Sequence, residues 1–155
     1  MIVLDTNIVL DAFVFDDPAT QPLKLALAAK KIQWIATKAM RDELARVLGY
    51  PKIVVRLAFY QRTAADVLAQ FDGQAQWFDA ARKASVTCRD PDDQKFIDLA
   101  VAHKATLLSK DRAVLCMEKR LLALDVRAYT AINFVAKQKS LSAAHPGSGR
   151  PCADA

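Results

Sequence analysis

The sequence predicts an α/β domain built on a central, mainly parallel sheet with helices on both faces. Short strand-like runs, Met1–Leu4, Gln33–Ala36, Thr106–Ser109 and Val126–Tyr129, alternate with longer stretches of helical spacing. Strands separated by helices pair in parallel, because each crossover helix returns the chain to the same end of the sheet. With four glycines and six prolines in 155 residues, and Ala and Leu abundant, little interrupts the helices.

The elements follow in order. Met1–Leu4 reads as a buried strand and leads into a short helix through Phe13. After the loop at Phe15–Pro18, the segment Pro22–Lys31 is helical, with Leu23, Leu25, Ala26 and Leu27 as its apolar bulk. Gln33–Ala36 is the second strand. Thr37 is placed to cap a helix through Leu48, which Gly49, Tyr50 and Pro51 end. Helix resumes from Lys52 to about Phe71 with one internal break, and Asp72-Gly73 signals a turn. The stretch Ala75–Cys88 has room for one short strand. Arg89-Asp90-Pro91-Asp92-Asp93 starts a strong helix through His103, followed by the strand Thr106–Ser109. A helical stretch with Leu115, Met117, Leu121 and Leu122, a last strand Val126–Tyr129 and a helix Ala131–Lys137 capped by Thr130 complete a domain spanning 1–137. Residues 138–155, rich in Ser, Ala, Gly and Pro, are expected to form a disordered tail.

Composition excludes several classes. Just over half the residues are hydrophobic, too many for a disordered chain. No stretch approaches the ~20 apolar residues of a membrane span. The N-terminus has neither a basic leader nor a cleavage site, so a cytoplasmic protein is expected. Cys88, Cys116 and Cys152 lie far apart and are odd in number, which fits reduced thiols better than a disulfide framework or a zinc knuckle. The net charge of +5 is uneven: nine basic and eight acidic residues through Trp77, thirteen and nine beyond it. A basic surface suits phosphate backbones, although charge alone favours an ordinary solvated surface unless acids are found gathered within it.

They gather at strand ends. The first strand runs into Asp5 and the fourth into Asp111, on the edge where open parallel sheets keep their ligands. In the helix that starts at Asp90, ~100° per residue puts Phe96, Ile97, Ala100 and Val101 within roughly 80° of Asp93. Asp93 therefore shares the buried stripe, whereas Asp92 and Asp98 face water and Asp90 is the natural N-cap before Pro91. A first-turn aspartate that caps backbone N–H groups is the plain alternative for Asp93. On the helix after Thr37, Glu43 borders the stripe of Met40, Leu44, Val47 and Leu48 while Asp42 points away. A rim glutamate paired with a lysine or arginine is the plain alternative for Glu43. Asp5, Glu43, Asp93 and Asp111 converging in one pocket would repel one another unless a cation sat among them. His103 and His145 are isolated, which leaves an oxygen-only donor set suited to Mg²⁺ or Mn²⁺ and hence to phosphoryl chemistry.

The segments MIVLDTNIVLDAF, TKAMRDELARVLG and CRDPDDQKFIDLAVAHKATLLSKD, in this order and spacing, resemble PIN-domain ribonucleases. The similarity is greatest to the small bacterial branch of toxins from toxin–antitoxin pairs, and it covers residues 1–137. It implies a Rossmann-like three-layer α/β/α sandwich that cleaves RNA with Mg²⁺ or Mn²⁺ and leaves a 5′-phosphate and a 3′-hydroxyl. Asp5, Glu43, Asp93 and Asp111 would be the catalytic acids, with Asp5, Asp93 and Asp111 on the metal. Thr6, Asn7 and Ser109 would be the polar residues that position them. Lys110 stands where the family often has Gly or Arg; it is a possible RNA contact, or a solvated lysine. A cognate antitoxin and a homodimer are the implied partners.

Three other readings compete. A haloacid-dehalogenase-type phosphatase needs a second aspartate two residues after Asp5, and Asn7 stands there. A phosphoacceptor receiver needs its acceptor on a middle strand, where no candidate is found. A non-catalytic PIN fold that only binds RNA or protein is the remaining alternative.

Overall fold

The computed structural model describes residues 1–131 together with 133, 134, 137 and 140. Five short strands, β1 (Ile2–Leu4), β2 (Trp34–Ala36), β3 (Ala75–Trp77), β4 (Thr106–Leu108) and β5 (Ala128–Tyr129), form one sheet in the order β3-β2-β1-β4-β5. Every pairing is parallel: Ile2 lies opposite both Trp34 and Thr106, and Leu108 lies opposite Tyr129. All three residues of β1 and of β2 are buried. Because successive side chains point to opposite faces, both faces of the sheet centre must be covered. Eight helices among the described residues do this.

The chain builds outward from β1 through β2 to β3, then crosses back over β1 to lay down β4 and β5. The direction of build therefore reverses between β1 and β4, and a crevice opens beyond their carboxyl ends. Helix α1 (Thr6–Phe13) starts immediately after β1, as the Asp5 carbonyl accepts from the Ile8 and Val9 N–H groups at 3.0 and 3.2 Å. Helices α2 (Gln21–Ala28) and α3 (Lys38–Leu48) flank β2, and Thr37 stands at the expected N-cap position of α3, though its side chain makes no capping hydrogen bond. The β2 residue Trp34, 1% exposed, stacks on Phe13 of α1 at 6.0 Å and meets Phe71 edge-on at 4.8 Å. Each such pair adds about 0.5–1.5 kcal/mol beyond its buried area.

The expected break in the next helical stretch separates α4 (Pro51–Phe59) from α5 (Ala64–Gln74), which a reciprocal Thr63–Asp66 capping box opens. Asp72-Gly73 does not turn. Both residues stay in α5, and the chain passes straight into β3 with the Ala75 N–H on the Phe71 carbonyl. Two contacts outweigh the local turn signal: buried Phe71 on Trp34, and the Arg41–Asp72 ion pair at 2.7 Å that ties α5 to α3.

Asp90 caps as predicted, accepting from the Asp92 N–H at 3.0 Å, but the first turn, Pro91–Asp93, is 3-10 before α6 (Gln94–His103) begins. Asp98 of α6 does not face water. It is half-buried and accepts from the Ala84 N–H at 2.8 Å and from Gln94 Nε2 at 2.7 Å, because the segment after β3 folds over that side of α6. The stretch with Leu115 and Leu121 divides into α7 (Arg112–Leu115) and α8 (Glu118–Leu122). The Thr130 hydroxyl accepts from the Asn133 N–H at 3.2 Å, the capping contact expected there. The expected tail, 138–155, lies outside the described residues except for Ser140.

Candidate metal centre

The crevice beyond β1 and β4 is lined by carboxylates from separate elements. Asp5, 4% exposed, ends β1, and its Oδ2 accepts from Ser109 Oγ at 2.6 Å. Ser109, completely buried just past β4, also accepts from the Asp111 N–H at 3.0 Å. One hydroxyl thus fixes both strand-end acids relative to each other. Asp111 in turn caps α7, with Oδ1 on the Ala113 N–H at 2.8 Å.

Asp93 is buried and its Oδ2 has no hydrogen-bond partner. One carboxylate oxygen each from Asp90, Asp93 and Asp111 lie within 4.8 Å of one another. Burial raises the Asp93 carboxyl to about 7, with the charges of Asp5, Asp111 and Asp90 adding to the rise. Asp5 is raised as well, first by burial and then by Glu43 and Asp111, against the lowering effect of the Ser109 hydrogen bond. A buried carboxylate oxygen without a donor, among like charges, is costly unless a cation compensates it. The donors are all oxygens, which fits a hard divalent ion.

Glu43 stands at the rim with both oxygens engaged. Thr6 Oγ1 donates to Oε2 at 2.6 Å, and Lys95 Nζ lies 3.1 Å from Oε1. The predicted site residues are therefore distributed as follows. Asp93 and Asp111 share the tight cluster, Asp5 adjoins it through Ser109, and Glu43 acts on Asp5 by charge. Thr6 holds Glu43, and Ser109 holds Asp5 together with the Asp111 backbone. Asn7 instead has an exposed side chain; its backbone N–H lowers the Asp5 carboxyl. Lys110 reaches Asp11 of α1 at 2.8 Å, a half-exposed ammonium on a buried carboxylate.

Sequence reasoning missed Asp90, Lys95 and Asp11. Asp90 was legible as a cap, but capping uses one of its two oxygens, and its spacing of three from Asp93 was the signal that both serve one cluster. Lys95 reaches Glu43 across two elements far apart in sequence, and no local spacing indicates that. Asp11 sits on an otherwise apolar helix face, which marks it as needing a partner without naming one.

An all-parallel α/β domain with a cluster of carboxylates at the reversal of strand order is the class of protein that fold and site define. The PIN domain family model matches residues 1–113, and the chain belongs to that family. Among solved structures, the chain is similar to VapBC2 from Rickettsia felis, a crystal structure bound to a DNA fragment from their promoter. The identity is 20% and the TM-score 0.56, over 83% of this chain and 98% of that one, a likeness of fold. No curated protein matches the chain.

Proposed function

We propose that this PIN-domain protein is a divalent-metal-dependent endoribonuclease that hydrolyses RNA phosphodiester bonds, and that it is the toxin of a toxin–antitoxin pair. The observation that carries the metal site is the buried, partnerless Asp93 oxygen within the Asp90–Asp93–Asp111 cluster. Asp5, Asp93 and Asp111, with Asp90 beside them, would hold Mg²⁺ or Mn²⁺. When bound, such an ion supplies Lewis-acid stabilisation for the charge that develops on the phosphate oxygens.

The chain's own residues supply the rest. Glu43, kept at the rim by Thr6 and Lys95, accepts the proton of the attacking water. Ser109 keeps Asp5 and Asp111 in register, and Lys95 places a positive charge next to the acids where a substrate phosphate would enter. The products would be a 5′-phosphate and a 3′-hydroxyl. Under this reading the nuclease domain extends to residue 137, the protein works in the cytoplasm, forms a homodimer and is held in check by a cognate antitoxin protein. None of the described helices is long and apolar enough to cross a membrane.

Purified protein assayed on single-stranded and structured RNAs with Mn²⁺ tests the proposal. Asp5→Asn and Asp93→Asn should each lower cleavage at least a hundredfold. At pH 8, where the Asp93 carboxyl is ionised, Asp93→Asn should also raise the melting temperature of metal-free protein, because it removes a carboxylate that is repelled and unpartnered. A gain of ~1 kcal/mol would appear as roughly 2–4 °C. Undiminished cleavage by Asp5→Asn would overturn the assignment. RNA affinity without cleavage in any metal would favour a binding module instead.

A further inference from the structure

Two of the cysteines are distant in sequence and adjacent in space. Cys88 Sγ and Cys116 Sγ each donate to the same oxygen, the Ala113 carbonyl, at 3.4 Å. The two sulphurs are therefore separated by no more than twice that distance. Cys88 is buried and Cys116 is exposed, and both are free thiols. Their positions give the pair leverage on the acidic cluster. Cys88 lies two residues before Asp90, and its N–H is held at 2.6 Å by Gln94 Oε1 at the start of α6, next to Asp93. Cys116 ends α7, the helix that Asp111 caps. Ala113, whose carbonyl takes both thiols, gives its own N–H to the Asp111 carboxylate.

We propose that Cys88 and Cys116 are a modification site that forms a reversible disulfide on exposure to a hydroperoxide, tying the segment that carries Asp90 and Asp93 to the one that carries Asp111. Exposed Cys116 reacts first: its sulphur takes one peroxide oxygen to give a sulfenic acid, and the rest of the peroxide leaves as water or an alcohol. Cys88 then attacks that sulphur, the S–O bond breaks, and a second water departs as the S–S bond forms. Two thiols are oxidised by two electrons and one peroxide is reduced. A dithiol reverses the step by exchange.

A disulfide holds its sulphurs ~2.05 Å apart and leaves neither with an S–H to donate, so at least one must move and both give up their hydrogen bonds to the Ala113 carbonyl. Closure shifts Ala113, the N-terminal turn of α7 and the chain before Asp90, and with them the three clustered carboxylates. The oxidised form binds a divalent ion more weakly and cleaves RNA more slowly. This consequence rests on the nuclease reading; the bond itself does not.

The test uses full-length protein with Cys152→Ser, treated with hydrogen peroxide and alkylated. The intact mass should fall by two hydrogens, and non-reducing peptide mapping should join the Cys88 and Cys116 peptides. Cys116→Ser, at an exposed position, should abolish the bond without loss of fold. Mn²⁺ affinity and RNA cleavage should each fall at least tenfold on oxidation, recover with dithiothreitol and be unaffected by peroxide in Cys116→Ser. Both thiols still alkylated after peroxide, or a bond between other partners, would overturn the site. A bond with unchanged Mn²⁺ affinity would overturn its effect on the cluster. A disulfide that forms and weakens Mn²⁺ binding in a protein that cleaves no RNA even when reduced would uphold the site and sink the nuclease reading instead.

Discussion

Burial and the charges of Asp5, Asp111 and Asp90 raise the Asp93 carboxyl to about 7, which links the site to pH in a defined direction. In the unfolded chain this group ionises near 3.8. Between that pH and about 7, the native protein holds a proton that the unfolded one releases. The stability of the metal-free protein must then fall as pH rises through this window and level off above it. Asp5, also raised, acts with the same sign. Melting temperatures in EDTA should be higher at pH 5 than at pH 8, by roughly 2–4 °C for each kcal/mol involved. In Asp93→Asn that difference should shrink. If Asp93 ligates a divalent ion, binding must displace the proton, so the affinity should rise about tenfold per pH unit up to pH 7. An affinity independent of pH between 5 and 7 would show that the ion displaces no proton from Asp93.

The segment after β3 shows how an element can be replaced by side chains. Residues 78–88 contain no strand, yet the segment is fastened to α6 at three points. Gln94 takes the Cys88 N–H at 2.6 Å and gives to the Val86 carbonyl at 3.1 Å, while Asp98 takes the Ala84 N–H at 2.8 Å. These bonds keep the approach to Asp90 rigid. Asp98→Ala leaves the Ala84 N–H without its acceptor and removes a contact from Gln94, so a loss of about 1–3 kcal/mol is expected. Hydrogen exchange should quicken at Ala84 and along 84–88. Protection as strong as in the parent would mean that packing, and not this carboxylate, holds the segment.

A net charge of +5 surrounds a cluster of acids, so the whole molecule and its site have opposite electrostatic character. The basic surface would attract a polyanion at long range, and the carboxylates would repel its phosphates locally until a cation intervenes. If RNA is the ligand, Asp5→Asn should bind it with log affinity falling linearly with log salt. The slope is about −0.7 for each phosphate contacted on a single strand. Affinity that does not respond to salt would place the interface away from the basic surface.

Alternation of strands and helices was enough to set the parallel sheet, because both are local patterns with a single economical pairing. It also located Asp5 and Asp111, since a carboxylate directly after a buried strand must emerge at the sheet edge. Helical phase separated Asp93 from Asp92, but it misjudged Asp98, whose partner at Ala84 comes from a segment with no periodicity to read. The Asp72-Gly73 signal failed because Arg41 and Trp34, both remote in sequence, hold that end of α5. Local sequence thus determined which residues could reach the switch point of the sheet. Only the tertiary structure decided that Asp90 joins the cluster, that Lys95 faces Glu43 and that two cysteines share one carbonyl, because each depends on distances between segments that periodicity does not encode.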